Sequence, residues 1–157
     1  MNFSGTVLLS SIASWKENAI NRCPTVPQYY ISVEGWRPDK RIKTAIYSIE
    51  IGVKLDECVL VFTCEKRYSD LRGLHKDLER ANSNLPAFPP KKVLGKNDVE
   101  FVRSRYRQLH YYFDHLPRET RVEKNVYFIE FFGFNEIRKK WSNMVQTRLA
   151  SARWSLV

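Results

Sequence analysis

Around residue 67 the hydrophobic period of this chain changes from two to nearly four, and that switch limits the fold more than any other feature. Between Gln28 and Lys66 apolar residues alternate: Tyr29, Ile31 and Val33, then Ala45, Tyr47, Ile49, Ile51 and Val53, then Cys58, Leu60, Phe62 and Cys64. Alternation sends these side chains to one face of an extended backbone, and the intervening GWRPDK and KLDE are turn-like, so three antiparallel strands are predicted. Beyond Ser69, the expected N-cap, Leu71, Leu74 and Leu78 recur at helical spacing until Asn82.

The stretch LPAFPPKKVLGK at 85–96 cannot be regular, because Pro86, Pro89 and Pro90 lack backbone donors and fix their own angles. A stiff, extended connector is expected there. Asn97 followed by Glu100 resembles a capping box, and Val102, Tyr106, Leu109, Phe113 and Leu116 repeat at helical steps until Pro117. NVYFIEFFGF is too short to span a membrane and reads as a buried helix stopped near Gly133. Ile137, Trp141, Val145, Leu149 and Ala152 form a last helical stripe, flanked by Arg138, Lys139, Lys140 and Arg148. At the other end Ile12, Trp15 and Ile20 suit a short docked helix. Strands followed by helices define an α+β class: a three-stranded antiparallel sheet packed against a helical subdomain, with a proline-rich loop between the first two main helices.

Composition then narrows function. With 26 basic and 17 acidic residues, the net charge of +9 favours polyanions: nucleic acid, an acidic protein or an anionic membrane face. Cys23, Cys58 and Cys64 form no CxxC pair and no ligand spacing with His75, His110 or His115, so neither a metal nor a disulfide framework is expected. The histidines lack any GxSxG or HExxH context, no glycine-rich phosphate loop exists, and neither catalysis nor a cofactor is expected. No apolar run approaches the ~20 residues of a membrane span. The first residues lack a basic n-region, so no signal peptide is expected and a cytoplasmic setting fits best.

Anion recognition has specific candidates. Arg67 precedes a helix N-terminus, where free amides also favour negative charge, and its planar fork can grip two phosphate oxygens while Tyr68 offers a flat ring. The competing arrangement pairs Arg67 with a surface carboxylate and puts Tyr68 in the core. Arg105 lies between Phe101 and Leu109 at the inward edge of an apolar stripe continued by Tyr112. A cation there needs a partner, either an acidic side chain or an external anion. Arg103 and Arg107 face the other way, toward solvent. Lys91 and Lys92 follow the prolines, and Val93 and Leu94 next to them suit shallow membrane insertion or folding back onto the domain.

Taken in order, these residues resemble a phox-homology (PX) domain, the phosphoinositide-binding module of sorting nexins and related proteins. The resemblance rests on KRYSDL at 66–71, similar to the family's (R/K)RYSDF-like run, on PPKK at 89–92, on FVRSRYRQL at 101–109, similar to a FIEERxxxL helix, and on FIEFF at 128–132. Lys66 stands where arginine is common, and Leu71 replaces the usual phenylalanine. The likeness covers about 26–134, leaving 1–25 as an N-terminal extension with a short helix and 135–157 as a C-terminal amphipathic helical extension.

It implies a ligand, phosphatidylinositol 3-phosphate, with Arg67 on the 3-phosphate, Tyr68 on the inositol ring, Lys91 on the 1-phosphate and Arg105 on the 4- and 5-hydroxyls. Ser69 and Lys92 are additional ligand-binding candidates, and Val93 and Leu94 the membrane-inserting pair. The expectation is a non-catalytic module, peripheral on anionic endosomal membranes, with a protein partner for its C-terminal helix and no nucleic acid. The alternative is a basic PX-like protein-interaction module with weak or non-selective lipid binding.

Overall fold

Alternation becomes strand where expected, and the sheet gains one strand more. Among the residues that the computed structural model describes (1–41, 43–82, 84–91, 98–119 and 121–155), the strands are β1 (Asn2–Leu8), β2 (Tyr29–Asp39), β3 (Thr44–Leu55) and β4 (Cys58–Arg67). All pairs are antiparallel, in the order β1-β4-β3-β2, so the predicted three-stranded sheet is four-stranded. β1 falls in the segment expected to supply only a helix. Its side chains are mostly exposed and its register slips between Phe3 and Gly5, so it carries no clean alternation to read. Backbone pairing along the edge of β4 holds it, rather than a buried face.

The short helix at the N-terminus is α1 (Ser14–Arg22), which buries Ala19 and Ile20 against Tyr30 and Val59. Successive strand residues point to opposite faces, so Tyr30 faces α1 while Tyr29, Ile31 and Val33 enter the main core. Lys16 pins α1 in place, its Nζ lying 2.5 Å from Glu34 and 2.7 Å from Glu50, to which the Tyr30 hydroxyl also donates at 2.6 Å. Burial would pull the Lys16 ammonium down, but hydrogen bonds and charge from Glu34 and Glu50 outweigh it and hold its pKa up.

On the other face lie α2 (Tyr68–Glu79), α3 (Val99–Glu119), α4 (Val126–Phe132) and α5 (Phe134–Ser155). α2 buries Leu71, Leu74 and Leu78, but its N-cap position is Arg67 rather than Ser69, with Asp70 Oδ2 accepting the Arg67 backbone N–H at 3.1 Å. Asp98 Oδ1 accepts the N–H groups of Glu100 (2.9 Å) and Phe101 (3.3 Å) and so caps α3, whereas Asn97 lies outside the described residues. α3 runs past Pro117, because a proline in the last turn removes only one helical bond. Asn125 caps α4, and Gly133 ends it at φ 63°, a left-handed conformation that glycine adopts without strain.

The stripe on α5 is half consumed by the fold. Ile137 is buried and Trp141 Nε1 donates to the Lys54 carbonyl at 2.9 Å, whereas Leu149 and Trp154 remain 57% and 80% exposed. No helix among the described residues is long and apolar enough to cross a membrane.

Gly52 sits opposite Tyr30 in the β2–β3 register, and a Cβ at that position would run into the Tyr30 ring. Tyr30 cannot swing away while its hydroxyl is on Glu50 and its ring lies against Trp15. Gly52→Ala should therefore cost about 1–3 kcal/mol of stability, the range for overpacking a filled core. Urea denaturation checks this, and an unchanged midpoint would show that the ring is free to move.

Candidate functional site

The site begins where β4 becomes α2. Alternation turns Lys66 and Arg67 to opposite faces: the Lys66 ammonium lies 4.3 Å over the Phe131 ring of α4, and Arg67 projects with its side chain 47% exposed. Arg67 Nε is 3.5 Å from Asp70 Oδ2, a long contact between exposed partners that water screens strongly. Tyr68, the first residue of α2, is buried and donates its hydroxyl to the Pro89 carbonyl at 2.7 Å.

Arg105 completes the cluster from α3. It stands within the buried stripe between Val102 and Leu109, its guanidinium carbon 3.6 Å from the Tyr68 ring centre and 4.3 Å from that of Phe101. One Nη donates at 3.5 Å to the Pro90 carbonyl, and Nε has no hydrogen-bond partner among the described residues. No carboxylate among them forms an ion pair with it. Burial pulls its pKa below the ordinary guanidinium value, opposed mainly by Tyr47 and Tyr68. Of the two partners open to Arg105 in the sequence, the acidic side chain is not found among the described residues.

These contacts bring Arg67, Tyr68, Arg105 and the start of the connector together, although the residues are far apart in sequence. Lys91 follows Pro90 directly and is exposed, as is Ser69 on the first turn of α2. Lys92, Val93 and Leu94 lie outside the described residues.

Three neighbours lie outside the residues that the sequence singles out. Phe88 wedges the connector, stacked on His75 at 4.8 Å and on Tyr68 at 5.7 Å, and perpendicular to the Tyr112 ring at 5.0 Å. Tyr47 of β3 is buried beside Arg105 and looks, in sequence, like any inward strand residue. Arg72 could have been found: it follows Tyr68 by four residues on α2, and its charge opposes the rise that burial imposes on the Tyr68 hydroxyl.

A sheet feeding a helical layer through this arginine–tyrosine junction, with a proline-rich connector crossing it, is the architecture of a PX domain. The family model described as "PX domain" matches residues 60–135, and a solved PX domain shares the fold. Kinesin-like protein KIF16B of Homo sapiens is 33% identical over 91 residues, which make up 56% of this chain and 6% of that protein. The Mus musculus counterpart is 34% identical over 90 residues, with the same 56% and 6% shares. The match thus spans about 6% of the length of these curated relatives. Among solved structures, "X-ray structure of a designed CISK-PX domain" aligns with a TM-score of 0.54 at 24% identity, covering 65% of this chain and 96% of that one, a likeness of fold. A PX domain implies phosphoinositide binding and recruitment to membranes.

His75 ties the wedge to the helices, its Nδ1 being 3.0 Å from the Tyr112 hydroxyl. Burial lowers its pKa below the usual 6.5, with Glu79 partly opposing. The folded state therefore favours neutral His75, and the unfolded chain takes up this proton first. That contribution to stability is complete above 6.5 and is lost as pH falls from there through the lowered folded value. Thermal melts between pH 8 and 5 should show native protein losing more stability than a His75→Gln variant; parallel curves would exonerate His75.

Proposed function

We propose that this chain recognises phosphatidylinositol 3-phosphate and is recruited by it to endosomal membranes, without catalysing a reaction. The observation that carries this reading is the Arg105 guanidinium, stacked on Tyr68 and lacking a carboxylate partner among the described residues. Desolvating a cation unpaired is costly, so a ligand rich in oxygen acceptors satisfies it where no protein group does. Arg67 then takes the 3-phosphate through its fork, Lys91 the 1-phosphate as a point charge, Tyr68 the ring face, and Arg105 the 4- and 5-hydroxyls. Ser69 and Lys92 are further ligand-binding candidates in this reading, and Val93 and Leu94 are its membrane-inserting pair. Residues 26–134 form the recognition body in this reading.

The net charge of +9 contributes a second, unselective attraction to anionic surfaces. On α5 the exposed Leu149 and Trp154 are left for a protein partner, Ile137, Trp141 and Val145 of that stripe being packed on the domain.

Vesicles carrying each phosphoinositide in turn, with soluble headgroup and nucleic acid as competitors, provide the test. Arg67→Ala should weaken 3-phosphate vesicle binding by about 2–5 kcal/mol, the range for truncating one member of a hydrogen-bonded charge pair. Native affinity in a folded Arg67→Ala protein would overturn the site.

Arg105→Ala should reduce 3-phosphate binding far more than adsorption to plain phosphatidylserine vesicles. Equal losses on both would favour the alternative, a basic interaction module with non-selective lipid binding. Changing Val93 and Leu94 together to aspartate should abolish vesicle binding and spare the soluble headgroup, because insertion adds apolar burial without touching the headgroup contacts. Loss of headgroup binding in that folded double variant would mean that the loop shapes the pocket.

A further inference from the structure

Arg105 is accompanied by a second unsatisfied group. The Tyr47 side chain on β3 is 1% exposed, and its hydroxyl, like Arg105 Nε, is buried without a hydrogen-bond partner among the described residues. The two interact: Arg105 opposes the rise that burial imposes on the Tyr47 hydroxyl, and Tyr47 leads the groups that oppose the fall at Arg105. A polar atom buried without a partner forgoes the stabilisation of a hydrogen bond, and here a donor and an acceptor lie near one another in a contact that falls short of a full hydrogen bond.

We infer that Tyr47 is a positioning residue for Arg105, its hydroxyl accepting from the guanidinium when a phosphorylated inositol headgroup is bound. This inference rests on the reading of Arg105 as a ligand contact. The aromatic faces of Tyr68 and Phe101 fix the plane of the guanidinium but leave it free to turn within that plane. The Pro90 carbonyl restrains it on one side, through a contact already at the long limit. An acceptor on the sheet side supplies the second in-plane restraint. Because that acceptor is a neutral phenol rather than a carboxylate, it orients the cation without neutralising it, and the charge stays available to the headgroup. An acidic residue in place of Tyr47 would form an internal ion pair and compete with the ligand.

Calorimetric titration with a soluble short-chain phosphatidylinositol 3-phosphate, on the full chain, separates the possibilities. Tyr47→Phe should weaken headgroup binding about ten- to a hundredfold, the loss of one hydrogen bond to a charged group. Adsorption to plain phosphatidylserine vesicles should stay native, and the melting temperature should be unchanged or higher, since the lost hydroxyl makes no full hydrogen bond among the described residues of the free protein. Tyr47→Glu should reduce headgroup binding further while remaining folded by circular dichroism. Native headgroup affinity in Tyr47→Phe, an equal loss on plain vesicles, or a lowered melting temperature would overturn the positioning role. Arg105→Ala, titrated alongside, keeps the two readings apart. If it loses the headgroup while Tyr47→Phe does not, only the role of Tyr47 fails; if it binds normally, the ligand reading of Arg105 fails first.

Discussion

A guanidinium held between two aromatic rings organises this end of the molecule. Arg105 occupies a position in the buried stripe of α3 where a leucine would pack, so helix and sheet close around a charge. Stacking on Tyr68 and Phe101 recovers about 0.5–2 kcal/mol. Stripping water from a cation costs several kcal/mol even after the protein relaxes, so the rings offset only part of it. In the proposed reading the bound headgroup meets the remainder.

The same tyrosine fixes the connector. With its ring under Arg105, Tyr68 turns its hydroxyl onto the carbonyl of Pro89, and Arg105 reaches that of Pro90. Prolines suit this role, since they offer acceptors while withdrawing the donors that would draw the segment into a helix or sheet. Phe88, clamped between His75 and Tyr68, keeps the connector from lifting off α2. In the proposed reading, net charge brings such a domain toward an anionic surface, whereas the fixed geometry of these few groups distinguishes one headgroup from another.

Away from the site, helices cover the sheet on both faces. α1, pinned by Lys16 between Glu34 and Glu50, packs beside Tyr30 and Val59, while α2 to α4 bury the opposite face and α5 closes over the β3–β4 end through Trp141 and Arg148. The register pairs Ile46 with Arg67 at one end of β3–β4 and Leu55 with Cys58 at the other, which separates the site from the contact of α5 by the length of the hairpin. An exposed distal α5 therefore stands well away from the surface that Arg67 faces.

Periodicity alone separated β2, β3 and β4 from α2 to α5, because strand and helix repeats are local properties of the backbone and the buried residues follow them. The motif residues Arg67, Tyr68, Lys91 and Arg105 were equally legible, each lying in a recognisable stretch of sequence. β1 was not, since an exposed edge strand is held by hydrogen bonds to a neighbour more than fifty residues away and needs no alternation of its own. The caps of α2 and α3 shifted by a residue or two, as helix ends do when several polar side chains compete for the same free amides. The absence of a carboxylate beside Arg105 among the described residues, the wedge of Phe88 and the nearness of Tyr47 were decided only in three dimensions. Which side chains share a buried site depends on strand register and helix docking, and one inward-facing tyrosine looks like another until the chain has closed around it.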